Sequence, residues 1–308
     1  MDQELYPRNR QEFVRQFATE QQCEDYLIRL RWPDGFVCPG CSGRKAWRHP
    51  RGHFECSSCG RQTSVTSGTL FDRTRKPLQL WFDVIWAVVS QKNGASAKNL
   101  QATMGLGSYE TAWTWLHKLR RAMIRPGRDK LHGAVEVDET YIGGSEEGLV
   151  GRDPATQKVL VVIAVECAGK KLGRVRFRCI PDGSSAALLP FVKDNVEMGS
   201  EVITDGWQGY SGLTSGGYRH TQKIIPSKKE AARTLPHVHL IASLLKRWLN
   251  GTHQGRASPQ HLPYYLDEYA FRFNRRMSTH RGKLFYRLVS QAVRQDPVPY
   301  AKIICRPQ

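Results

Sequence analysis

The spacing of apolar residues changes along the chain and divides it into stretches of different period. Residues 8–30, from Gln11-Glu-Phe-Val-Arg-Gln-Phe17 to Tyr26-Leu-Ile-Arg-Leu30, suggest short helices. Residues 78–91 place Trp81, Phe82, Ile85, Trp86 and Val89 at steps of three and four, the mark of a core-facing helix. Gly94-Ala95-Ser96 then opens a short helix through Leu100 that ends near Gly105-Leu106-Gly107. Ser108 is placed to cap a third helix over 109–123, which carries Trp113, Trp115, Lys118, Arg120 and Arg121. Helix, short helix, glycine turn and basic helix are the ingredients of a helix-turn-helix, with Lys118, Arg120 and Arg121 facing DNA. A plain helical bundle gives the same pattern.

Beyond residue 132 the period shortens. Strand-like runs at 133–142, 158–166 and 173–180 precede a helix over 184–196 with Leu188, Leu189, Phe191 and Val192 inward. A strand at 201–205 follows, then a weaker one around 222–225. Three closely connected strands, a crossover helix and a fourth strand is the order of an RNase H-like core, with the fourth strand parallel to the first. The last long helix of interest starts near Pro236 and has a stop signal at Asn250-Gly251. Leu240, Ile241, Leu244, Leu245 and Trp248 form its apolar stripe, and His239 and Lys246 share the opposite face. A solvent-facing polar stripe would look the same.

Cys38-Pro-Gly-Cys41 and Cys56-Ser-Ser-Cys59 are two CxxC knuckles that aim four thiolates at one tetrahedral ion, with Gly40 and Gly60 at candidate positive-φ positions. Four sulfurs close the coordination shell, so the expected zinc is structural. The fold class is therefore α/β: an RNase H-like mixed sheet flanked by helices, preceded by a small zinc ribbon and an all-α helix-turn-helix-like segment. The expected divisions are a helical lead-in over 1–35, the ribbon over 36–70, the helical segment over 76–125, the α/β domain over 133–290 and a tail over 291–308.

Charge narrows the partners. The 308 residues carry a formal net charge of +18, which favours polyanions through counterion release. The longest apolar run, 159–165, is too short to span a bilayer, and the first residues lack a secretory layout, so nucleic acid is the expected partner and the cytoplasm, with its nucleoid, the expected compartment. Paired cysteines in such a chain indicate metal binding in a reducing compartment, and Cys23, Cys167, Cys179 and Cys305 read as buried small hydrophobes.

Asp138 and Asp205 fall late in strands that the crossover makes neighbours, where open α/β sheets place their ligands. Adjacent carboxylates call for a divalent cation. Glu136 shares the Asp138 face and is a rival ligand, while Glu139 points to the other face. Asp267 and Glu268 are rival third acids, since the helix after Asp205 offers His239 instead.

Several segments in order carry a resemblance. They are Gln62 to Phe71, Lys76 to Phe82, Gly105 to Trp113, Val135 to Gly144, Asp205-Gly-Trp-Gln-Gly-Tyr210, Gly251-Thr-His253 and His261 to Arg276. Together they resemble the ISXO-like insertion-sequence transposases over nearly the whole chain. That resemblance implies a zinc ribbon, a DNA-binding helical segment and a DDE-type core that moves a mobile element. Carried onto this chain, the catalytic set is Asp138, Asp205, His239 and Lys246, with two divalent ions, Mg²⁺ or Mn²⁺, held by the first three. The third position varies in that family, and a histidine there seven residues before a lysine fits its pattern. Lys246 is then expected to grip a phosphate, and Arg272, Arg275 and Arg276 to line the DNA path.

An imidazole ligand carries no charge and suits Mg²⁺ less well than a carboxylate does, so activity is expected to be greater with Mn²⁺ and to fall on acidification. The expected partners are the terminal inverted repeats and target DNA, with the protein at least dimeric on DNA. Two alternatives stay open at this point: a nuclease of the same fold that cuts without joining, and a transposase-derived DNA-binding protein without catalysis.

Overall fold

The computed structural model describes residues 6–50, 52–143, 158–169, 171–224, 234–254 and 257–304. Gly144, Ile225 and Cys305, each part of an expectation above, lie outside them. The chain divides into two compact units, one made of Met1–Arg125 with Met277–Arg306 and the other of Pro126–Arg276.

The first unit opens with helices α1 (Arg10–Gln16) and α2 (Glu20–Arg31), the latter started by a Thr19/Gln22 capping box. The ribbon follows as three antiparallel strands, β1 (Ala46–Arg48), β2 (Phe54–Cys56) and β3 (Gln62–Thr63). Gly60 takes the expected positive φ of 67°, but Gly40 does not, and Ser42 occupies the left-handed region in its place. Gly43 is needed for room instead: a Cβ there would lie 3.2 Å from Cys56 Sγ and 3.3 Å from Cys41 Sγ.

Helices α3 (Leu78–Ser90), α4 (Ala97–Met104) and α5 (Tyr109–Arg121) complete the expected helical segment. Gly105 ends α4 at φ 61°, and Ser108 caps α5 by accepting the Thr111 N–H. The Trp81 and Trp115 rings stack with centroids 3.5 Å apart. Helix α9 (Arg281–Ala292), expected in the α/β domain, belongs to this unit, because Phe285 packs edge-on against Phe13 and Phe82. A short helix α10 (Tyr300–Ile304) ends the described chain.

The second unit is a five-stranded mixed sheet in the order β6-β5-β4-β7-β8. Its strands are β4 (Ala134–Ile142), β5 (Val159–Ala168), β6 (Lys171–Ile180), β7 (Glu201–Thr204) and β8 (Arg219–Gln222). The crossover helix α6 (Ser185–Asn195) brings β7 parallel to β4, as expected. The weak last strand lies a few residues earlier than the sequence suggested.

Both faces of the sheet are covered. Val162, Ala164, Val135 and Val137 pack under α6, while Val161, Ile163 and Val165 pack under α7 (Pro236–His253) and α8 (Leu262–Phe273). That explains the unbroken apolar run of β5. Helix α7 begins at Pro236 as expected but runs past Asn250-Gly251 to a left-handed cap at Gln254. Its last turn is held by the His253 ring, 4.5 Å from that of Tyr265. Its buried stripe is Val238, Ile241, Ala242, Leu245 and Leu249, and Leu240 is exposed. His239 and Lys246 therefore sit on the flank of the buried stripe, not opposite it.

Candidate functional site

Alternation along β4 decides what meets α7. Val135 and Val137 point to the α6 face, so Glu136, Asp138 and Thr140 point to the other. Each of the three finds a partner on α7. The Glu136 carboxylate accepts the backbone N–H groups of His237 and Val238 at 2.8 and 2.9 Å. Asp138 Oδ2 lies 3.8 Å from His239 Nδ1. Lys246 Nζ donates to Thr140 Oγ1 at 2.8 Å. The seven-residue spacing of His239 and Lys246 thus spans two positions of the same strand face.

Asp205 follows the last residue of β7, and its Oδ1 accepts the Trp207 N–H at 2.9 Å. Gly206 makes the turn at φ 87°. The parallel register pairs Glu136 with Ile203, so Asp138, midway along β4 and not late in it as expected, lies beside Asp205, which follows the end of β7. Burial pushes the Asp138 carboxyl up to about 7, and the charges of Glu139, Asp205 and Glu136 act in the same direction. A cavity of about 100 Å³ is bordered by Asp138, Glu139, Thr140, Val238 and His239. His239 Nε2 is buried with no hydrogen-bond partner. A repelled carboxylate and an imidazole nitrogen without a partner fit a bound cation chemically. The set is open, however: among the described residues, Asp138, Asp205 and His239 are not a group whose ligand atoms all lie within 4.8 Å of one another.

The rival acids are placed elsewhere or engaged. Glu136 is 2% exposed and its oxygens are taken up by α7, including a 2.8 Å contact with His237 Nδ1. Glu139 points to the opposite face, as expected, where it accepts the Tyr210 hydroxyl at 2.7 Å. Glu268 is fully buried and paired with Arg272 on its own helix at 2.8 Å. Burial raises Asp267 to about 6 against the pull of Arg128, and its charge acts on Cys179 of β6.

The four cysteines form the other centre. Cys38 and Cys59 sulfurs are 3.6 Å apart, as are those of Cys41 and Cys56, and all four lie within 4.8 Å of one another. Those separations suit a tetrahedral ion bound at about 2.3 Å from each sulfur. The Ser58 backbone N–H leads in lowering the Cys56 thiol to about 6, which favours the thiolate a metal needs.

The basic residues divide. Arg120 is 1% exposed, so it faces the interior of its unit instead of a duplex. It lies on a helix whose Trp115, Leu116 and Leu119 are also buried, and the sequence did not reveal which side turned inward. Lys118 and Arg121 are half-buried, and burial lowers the Lys118 pKa. Arg272 is neutralised by Glu268, Arg275 lies over the Phe271 ring, and Arg276 donates to the Gly173 and Leu172 carbonyls of β6. Of the single cysteines, Cys23 is buried, whereas Cys167 and Cys179 are only partly so.

Comparison with known proteins matches two parts of the chain. The ISXO2-like transposase domain matches residues 130–274, and the transposase zinc-ribbon domain matches residues 18–62. The chain belongs to the ISXO2-like transposase family. A protein of Halobacterium salinarum, described as an uncharacterized protein in transposable element ISH50, is 24% identical over 294 residues, covering 88% of this chain and 95% of that one. A chain of a simian T-cell lymphotropic virus intasome, solved in complex with a PP2A regulatory subunit, is 14% identical with a TM-score of 0.35, over 62% of this chain and 74% of that one. This transposase-family chain has no helix, among its described residues, long and apolar enough to cross a membrane.

Proposed function

We propose that the chain is an active transposase that binds the terminal inverted repeats of its element, cleaves the strand at each end and joins the exposed 3′-hydroxyl to target DNA. The observation that carries this reading is the meeting of Asp138 with His239 at 3.8 Å, beside Asp205 and above a Thr140–Lys246 contact, inside the family-matched domain. In this reading Asp138, Asp205 and His239 would hold the divalent ions. Bound there, the ions supply the charge that activates a water or 3′-hydroxyl and steadies the leaving oxygen.

The protein's own part is positioning. Asp138, raised by burial and like charge, would have to be ionised to hold a cation, and a cation's charge would favour that form. His239 contributes a neutral nitrogen and no charge, so the site is less anionic than one with three acids. Lys246 is placed to hold a phosphate of the transposon end, exchanging its Thr140 contact for the ligand. Direct in-line attack requires no covalent protein intermediate. The four-cysteine ribbon binds zinc and keeps its module folded. Two ends need two active sites, so at least a dimer assembles on DNA.

Pre-cleaved end DNA and a supercoiled target test the reading. Wild-type protein with Mn²⁺ joins the strands, and Asp138→Ala binds the ends without joining them. Cleavage without any joining would make the protein a nuclease, and end binding without turnover in either metal would make it a silent DNA-binding protein.

A further inference from the structure

The cluster Glu136, Cys167 and His237 lies next to the proposed catalytic residues, and its potential ligand atoms all fall within 4.8 Å of one another. Its chemistry allows two uses, a metal site or a hydrogen-bonded fastening. The donors already in place decide between them. Glu136 Oε2 accepts two backbone N–H groups, from His237 at 2.8 Å and Val238 at 2.9 Å, and Oε1 contacts His237 Nδ1 at 2.8 Å. The carboxylate is 3% exposed and the imidazole 17%. A metal ion would have to compete with the first turn of a helix for the same oxygens.

Helix α7 needs that acceptor. Its first N–H groups have no partner inside the helix, and its N-cap residue, Leu235, offers no side-chain oxygen. Glu136 fills the role from another element, 101 residues away in sequence, with a charge that suits the positive end of the helix. It stands two residues before Asp138 on the same face of β4, and its partner His237 stands two residues before His239. The Lys246–Thr140 contact, two turns further on, is the other end of the same docking.

Resting on the catalytic reading above, we propose that Glu136 is a positioning residue: it fastens the first turn of α7 to β4 and thereby sets His239 against Asp138. The hydrogen bonds of Glu136 go to the first turn of α7. Its effect is on where the imidazole stands, and active-site geometry is sensitive to displacements on the order of 1 Å. An acid at this place was expected to compete for metal, but here it serves the helix that carries the ligand. The signal legible in sequence was the shared strand face; the helix terminus it would meet was not.

The experiment compares Glu136→Ala, Glu136→Gln and Asp138→Ala in the full chain with its ribbon zinc retained. Gln keeps an acceptor oxygen for the two backbone N–H groups and removes the charge, while Ala removes both. Mn²⁺ affinity read by paramagnetic resonance, hydrogen exchange at the His237 and Val238 amides, and strand joining are measured together. Glu136→Ala is expected to weaken Mn²⁺ binding by about 10–100-fold, as loss of a residue that orients a metal ligand does. Exchange at the two amides should rise with it and joining should fall, with end-DNA affinity unchanged. Glu136→Gln should recover most of all three.

Equal damage from Gln and Ala would show that charge is what matters and overturn the proposal. So would wild-type affinity and exchange in Glu136→Ala, or a second zinc ion per chain that Glu136→Gln removes. If Glu136→Ala fails to fold, Glu136→Gln decides alone: near wild-type exchange and Mn²⁺ binding support the fastening, and fast exchange at both amides refutes it. Joining by Asp138→Ala would sink the catalytic reading itself, and is told apart because it does not depend on any change at Glu136.

Discussion

Two centres in this chain collect metal-ligating side chains, and they are built in opposite ways. In the ribbon, four sulfurs converge within 4.8 Å on tight knuckles, where backbone N–H groups lower the Cys38 and Cys56 thiols while the neighbouring sulfurs push Cys41 up to about 12. Against the sheet, Asp138, Asp205 and His239 come from three separate elements and stay spread, and Asp138 is held near 7 by burial and like charge. A closed shell of soft ligands suits an ion that never leaves or reacts. An open set of two carboxylates and an imidazole, with the carboxylates under repulsion, suits ions that substrate oxygens also bind. A closed zinc site stabilises its module, whereas the buried, repelled carboxyl of Asp138 detracts from the stability of its own unit.

The largest effect should come from opening the closed centre. Cys56→Ser removes one of four ligands from a site whose apparent binding free energy, in comparable peptides, is roughly 10–16 kcal/mol. The ribbon should lose its zinc and become protease-sensitive, and the melting of Pro126–Arg276 should stay as it was. Unchanged zinc content would break the contrast at once. Next, Asp205→Ala should lower strand joining by about a thousandfold or more, through the loss of several kcal/mol of charge stabilisation. Its zinc content should match wild type, since the two centres share no ligand.

The third effect is on stability and has a sign. Unfolded, Asp138 titrates near about 4. Folded and metal-free, it titrates near about 7. Below both values each state is protonated and the site costs nothing. As pH rises between them only the unfolded chain has released its proton, so stability falls, and the penalty is complete above the folded value. Asp138→Asn should therefore raise the melting temperature of metal-free protein at about pH 8, on the order of a few degrees, and leave it unchanged at about pH 4. Mn²⁺ should stabilise wild type at the higher pH and not the variant. A variant less stable than wild type at the higher pH would contradict the repulsion.

The smallest effect separates two neighbours on α5. Lys118→Ala should weaken end-DNA binding modestly and reduce its salt slope by about one. Arg120→Ala should lower the melting temperature instead, because its side chain is buried. Salt-dependent binding isotherms and calorimetry on the same preparations distinguish them.

How far each centre could be read from sequence follows from how local it is. The ribbon depends on short spacings, and Cys38, Cys41, Cys56 and Cys59 announced it. The pairing of the fourth strand with the first was legible because strand-like runs and a crossover helix left few topologies. Even the split between Asp138 and Glu139 followed from alternation. What escaped were pairings set by distant elements. Glu136 looked like a ligand because its partner, the start of α7, is remote in sequence. Helix α9 looked like part of the α/β domain because nothing local says that Phe285 belongs with Phe13 and Phe82. Arg120 looked exposed because an apolar pattern on several sides of a helix does not say which side is buried.

The central claim is that His239 stands in the place of the third acid, and the ratio of strand-joining rates in Mn²⁺ and Mg²⁺ tests it most directly. For wild type the rate should be higher in Mn²⁺, since a neutral nitrogen suits Mg²⁺ poorly. His239→Glu should bring the two rates closer together by raising the one in Mg²⁺. The same ratio in both proteins, with joining intact, would mean that His239 does not bind the ion.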